Sequence, residues 1–266
     1  MNTPNCLTIK CLTFETGKRS LAGNDGREEN LETALRHLSG HRGMWLAFYA
    51  AVLSSWAGLF LMQAGGFTRG PAAPTFESLP VSGVLLSLCT VSADTAGLAS
   101  AFAMWALMSV AMMAPTAFPA LRTYSQLTRT AGSGALPLAG LAGGYVAVWL
   151  GFSAAAAFLQ VGLAEFDLLS PLGRATSPAV SGALLVLAGA YQFTPLKEAC
   201  VSRCRSPLAF FFAHWREGVS GGTLLGLRLG AVCLGCCWAL MLLAFVAGTM
   251  NLAFMGLATV LMVLEK

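Results

Sequence analysis

An all-α, polytopic transmembrane helical bundle with about six spans and a cytoplasmic amino terminus is the fold class predicted for this chain. Three observations predict it. Of its 266 residues, 56% are hydrophobic and only 11% charged, whereas soluble domains carry roughly 25% charged residues. Apolar runs recur at close to the ~20 residues needed to cross ~30 Å of hydrocarbon as a helix. Lys and Arg, finally, fall almost wholly into alternate loops, which is the asymmetry that retains basic loops in the cytoplasm.

Residues 1–43 are rich in Asn, Gly, Glu and Thr and lack the charged, apolar, small-residue order of a cleavable signal peptide. They are expected to be a cytoplasmic extension. Within it Leu31, Leu35 and Leu38 share one stripe, so Glu28 to Ser39 reads as a short amphipathic helix at the membrane surface. Cys6 and Cys11, with no helix signal around them, read as reduced cytosolic thiols.

Residues 44–266 form the transmembrane domain, with spans expected at 44–64, 97–114, 136–162, 178–193, 222–248 and 251–264. Pro115 is expected to close the second, and the fourth is short. Leu79 to Val91 is apolar but too short and serine-rich to span, and reads as a re-entrant or interfacial helix. With the amino terminus inside, thirteen Lys and Arg lie in cytoplasmic segments, among them Lys197, Arg203, Arg205 and Lys266; Arg69 and Arg174 lie opposite. Arg228, near the start of span five, can snorkel. This puts the chain in the inner (cytoplasmic) membrane and makes the net charge of +4 topogenic, with no nucleic-acid partner implied.

Span five carries Gly222, Gly226 and Gly230, and span three carries Gly140 and Gly144, the spacing that lets helix backbones approach closely in lipid. The same face of span five continues into Cys233, Cys237 and Met241, with Cys236 alongside. Thiolate and thioether sulfur together suit Cu(I) better than Zn(II). Cysteine is also a small buried packing residue, and both readings remain open. In span two Met104, Met108 and Met112 recur every four residues; methionine stripes equally pack cores. Cys200 and Cys204, expected in the cytoplasmic loop after span four, would share one side of a helix among Lys197, Arg203 and Arg205, which favour thiolate. On the expected topology these groups form a ladder: Cys200 and Cys204 at the cytoplasmic side, Cys233, Cys236 and Cys237 near mid-membrane, Met241 further out, Met250 and Met255 outermost.

Four strings carry a family resemblance. They are Met104-Trp105 to Met112-Met113-Ala114-Pro115; Tyr191-Gln192 to Lys197, Cys200, Cys204 and Pro207; Cys233-Leu234-Gly235-Cys236-Cys237-Trp238 to Met241; and Gly248, Met250, Asn251 and Met255. In these the chain, over Phe102 to Lys266, resembles the predicted metal-binding integral membrane proteins, formerly a domain of unknown function and described as copper-chaperone-like. The resemblance implies copper handling for a copper enzyme. The implied Cu(I) ligands are Cys200, Cys204, Cys233, Cys236, Cys237, Met108, Met112, Met241, Met250 and Met255. Similar proteins often continue past Leu264 to Lys266 into another apolar helix, and the 65–94 loop here lacks a Met- or His-rich collecting character; a partner would supply either feature.

An enzyme is not expected. His37, His41 and His214 are the three histidines, too few and too scattered for a copper oxidase or haem site, with His214 reading as an interfacial polar residue. There is no phosphate loop. Three functions fit these residues: a membrane Cu(I) chaperone or conduit; a structural or assembly subunit of a larger membrane complex, with the sulfurs merely packing; and a thiol-disulfide oxidoreductase using Cys233 and Cys236. The last is the weakest, because thiol exchange needs access that mid-span burial denies.

Overall fold

A computed structural model describes residues 42–63, 95–170, 173–249 and 251–266. The expected amphipathic helix at 28–39, Cys6, Cys11, the 79–91 segment and Met250 lie outside the described residues. By contacts the chain divides into Met1–Trp45 and Leu46–Lys266. Of the first unit only the helical residues from Arg42 are described, and every helix after that one belongs wholly to the second.

The described residues are helical apart from loops and one isolated bridge between Leu169 and Ala175. In chain order the helices are α1 (Arg42–Gln63), α2 (Thr95–Thr130), α3 (Leu136–Glu165), α4 (Pro178–Gln192), α5 (Pro195–Arg205), α6 (Pro207–His214), α7 (Gly218–Leu242), α8 (Ala244–Ala247) and α9 (Leu252–Glu265). Four are long and apolar enough to cross a membrane: α1, α2, α3, and α7 continued into α8. A fifth is reached if α4 and α5, bent by 62° at Phe193 and Thr194, count as one span. The sixth expected span is the 14-residue α9, about 21 Å long at helical rise and short of the hydrocarbon thickness.

The second helix departs most from expectation. Pro115 does not close it, because α2 runs 36 residues with Pro115 and Pro119 inside. A proline deprives the carbonyl four residues earlier of its donor, and here that carbonyl, on Ala111, accepts from the Trp56 indole N–H at 3.0 Å. A donor from α1 thus replaces the missing backbone bond, and the helix continues.

The α3/α7 pair is built on glycine, as the spacing predicts. A Cβ on Gly226 would fall 2.1 Å from the Leu141 carbonyl oxygen, one on Gly222 2.2 Å from that of Pro137, and one on Gly144 2.2 Å from that of Thr223. Such backbone contact is available only to glycine. Between α2 and α3 two buried polar pairs form: Trp105 Nε1 donates to Gln160 Oε1 at 2.7 Å, and the Ser109 and Ser153 hydroxyls lie 3.0 Å apart. Exposed apolar side chains such as Leu53, Phe158, Val186 and Leu264 ring this interior, the inverse of a soluble surface.

Helix α5 folds back against α7. Thr194 caps it, its hydroxyl accepting from the Lys197 N–H at 3.3 Å, and Pro195 supplies the first-turn φ. At the far end of the bundle Asn251 Oδ1 accepts from the Phe254 N–H at 3.0 Å and starts α9.

Candidate metal centre

The α7 sequence places Cys233 and Cys237 one turn apart, with Cys236 beside them. Their three sulfurs lie within 4.8 Å of one another, and all three residues are buried. Two sulfurs on one ion at bonds of about 2.3 Å are at most about 4.6 Å apart. The three sulfurs, all within 4.8 Å of one another, are close to that spacing. Within it the Cys236 thiol donates to the Cys233 carbonyl at 3.0 Å and stands 3.3 Å from Cys237 Sγ.

A fourth thiol joins from another helix. Cys204, on α5, interacts with Cys236 without belonging to the group of three whose sulfurs all lie within 4.8 Å of one another. One turn earlier Cys200 is buried against Gly235, where a Cβ would fall 2.7 Å from its sulfur. The Tyr191 hydroxyl donates to the Gly235 carbonyl, which ties α4 to the same turn of α7. The expected ladder set the α5 thiols apart as a cytoplasmic-side rung; in the fold the 62° bend lays α5 on α7 and brings Cys204 beside Cys236.

Three further side chains complete the surroundings. The Tyr145 hydroxyl, from α3, lies 3.0 Å from Cys233 Sγ and 3.1 Å from the Met113 carbonyl oxygen. Thr116, from α2, places its Oγ1 4.0 Å from the same sulfur and donates to Met113 O at 2.9 Å. The Lys266 ammonium donates to Cys233 Sγ at 2.9 Å and to Thr116 Oγ1 at 3.0 Å. A cavity of about 140 Å³ opens beside them, lined among others by Thr116, Tyr145, Cys204, Cys233 and Lys266. Cys204, only half-buried, stands on that cavity as well as against the triad.

Thr116, Tyr145 and Lys266 were not legible as site residues. Tyr145 adjoins the glycine contact at Gly144, and a hydroxyl among Gly and Ala in mid-span was the available signal. Lys266 reads from sequence as one more topogenic cation. Nothing in one dimension places its amine on a cysteine of α7.

Among the candidate methionines, Met104, Met108, Met112, Met241 and Met255 are each 1% exposed or less. Two contacts set α2 against the span formed by α7 and α8. Thr116 meets Cys233 at one end, and at the other the Trp105 and Phe245 rings are 5.3 Å apart. The helices are thus antiparallel over about 16 Å at helical rise, and Met108, Met112 and Met241 lie between those contacts. His214 is exposed, with Nδ1 3.0 Å from the Phe210 carbonyl oxygen and its ring against Phe210; it has no place at the thiols.

A family model described as PpoB2, copper chaperone, matches residues 102–266. The match takes in every helix that contributes to the thiol site. No curated protein and no solved structure matches the chain.

Proposed function

This chain belongs to the PpoB2 copper chaperone family, and from that premise we propose that it holds Cu(I) within the membrane and passes it to a copper enzyme. The observation that carries the proposal is the buried triad Cys233, Cys236 and Cys237, its sulfurs within 4.8 Å and Cys204 alongside. Soft sulfur donors select Cu(I) over hard cations. Copper here is cargo: the cluster is the holding site, and half-buried Cys204 beside the cavity is where an incoming ion changes ligands. Cys200 sets the position of α5. The thioethers of Met112, Met108 and Met241, followed by Met255, offer weaker onward ligands away from the thiols, and Met250 is assigned the same role from the sequence alone.

The same reading places residues 44–266 in the cytoplasmic membrane as a multi-pass domain with the amino terminus and residues 1–43 inside. The basic residues near α5 and at Lys266 put the thiol end of the bundle on the cytoplasmic side. The partners are then the bilayer and a copper-enzyme client, and the chain itself performs no catalysis.

Anaerobic titration of the detergent-purified protein with Cu(I), in competition with a chromophoric chelator, tests this. The native chain should bind Cu(I) stoichiometrically, and the double substitution Cys236→Ser with Cys237→Ser should abolish it. Stoichiometric copper on the double variant, or Zn(II) taken up in preference to Cu(I), would sink the proposal.

A further inference from the structure

We infer that the Lys266 ammonium is the fixed counter-cation of the loaded centre, remaining beside Cys233 and favouring a soft monovalent over a divalent ion where two thiolates hold the ion. The inference rests on the copper-handling reading and adds to it a residue and a charge rule.

Lys266 Nζ is held by two acceptors from two helices, Cys233 Sγ at 2.9 Å and Thr116 Oγ1 at 3.0 Å. The backbone that carries it is held too. The Glu265 carboxylate pairs with buried Lys197 at 2.5 Å, and the Glu265 carbonyl accepts from Arg205 Nε at 2.8 Å. Lys197 and Arg205 both belong to α5, the helix that brings Cys204 to the triad. The end of α9 and the thiol-bearing face of α5 are therefore fastened together, with the ammonium turned inward from the join.

The charge of the loaded site then depends on the ion. A cuprous ion on two thiolates carries a net charge of minus one, and an isolated charge in an apolar interior costs several kcal/mol. Adding the Lys266 ammonium brings the loaded centre to zero while the remaining thiols stay neutral. A divalent soft ion on two thiolates is already neutral, so the ammonium leaves it one positive charge in excess. Zn(II) on three thiolates would be balanced by Lys266 as a cuprous ion on two is, and on four it would retain one negative charge. At two-thiolate coordination, then, the Lys266 ammonium on Cys233 balances a monovalent ion and leaves a divalent one with a charge in excess.

The test compares Lys266→Met, which keeps length and loses charge, with Lys266→Arg, which keeps charge. Each purified full-length protein is titrated anaerobically with Cu(I) against a chromophoric chelator and with Hg(II) against a small dithiol. Unit charges about 5 Å apart at an effective dielectric near 20 are worth of order 100-fold in affinity. Lys266→Met should therefore weaken Cu(I) by about that factor and leave Hg(II) within a few-fold of native, while Lys266→Arg keeps most of the Cu(I) affinity. Native-like Cu(I) binding by Lys266→Met overturns the inference, and so does an equal loss of Cu(I) and Hg(II), which would mark a packing role. A native protein that binds no Cu(I) removes the copper reading itself, a result seen before any variant is compared.

Discussion

The Ala111 carbonyl, deprived of its backbone donor by Pro115, accepts instead from the Trp56 indole at 3.0 Å, and α2 runs on through the proline. Trp56→Phe should cost about 1–2 kcal/mol, the usual penalty for stranding a buried acceptor, read as a shifted midpoint in detergent-to-denaturant unfolding. In a Pro115→Ala background the residue at 115 regains its N–H, so the same Trp56→Phe change should cost markedly less. Equal costs in both backgrounds would show that the indole contributes packing alone. From the sequence Pro115 reads as a helix stop, because the replacing donor lies 55 residues away from its acceptor, outside any local window. The cysteines behave oppositely. Cys233, Cys236 and Cys237 were legible as a cluster because one helix carries all three, whereas Thr116, Tyr145 and Lys266 reach them from three other elements.

Between elements, the α3/α7 contact positions the site. Gly140, Gly144, Gly222 and Gly226 were readable as a close-packing face, since small residues at four-residue spacing have one strong use in lipid. Tyr145 follows Gly144 directly, so the depth of that contact sets the distance from its hydroxyl to Cys233, 3.0 Å. Gly226→Val forces the helices apart, because even a Cβ there meets the Leu141 carbonyl at 2.1 Å. It should destabilise by roughly 2 kcal/mol or more and weaken Cu(I) binding with it. Gly143→Val is the control: a Cβ at Gly143 meets nothing within 4 Å, and both unfolding and Cu(I) titration should stay near native. If the two variants behave alike, the glycine face does not set the site. The α4/α5 bend was less readable. Thr194-Pro195 signals a helix start, but 62° of turn and the choice of α7 as the surface to pack on are tertiary facts.

For the whole molecule, hydropathy gave the helical class and the positions of the long helices, and it overstated what counts as a span. Counting apolar residues treats α9 as a crossing although it has only 14 residues, and it separates Cys200 and Cys204 from the triad because a polar loop lies between them in sequence. In three dimensions those residues close one end of the bundle. The proposed orientation makes that end cytoplasmic, because Lys197, Arg203, Arg205 and Lys266 gather there and basic residues resist translocation. Cys204 is the reporter for it, being only half-buried and lining the cavity beside the triad. A membrane-impermeant maleimide, with Cys6, Cys11 and Cys89 replaced by serine, should label Cys204 in inside-out vesicles and leave it unlabelled in right-side-out vesicles. Prior loading with Cu(I) should slow the labelling, since the incoming ion occupies the thiols that Cys204 adjoins. Labelling of Cys204 from the outside would reverse the orientation, and with it the side from which copper enters: the thiol cluster would then receive ions from the exterior, and the methionines between Thr116 and Trp105 would lead inward rather than out.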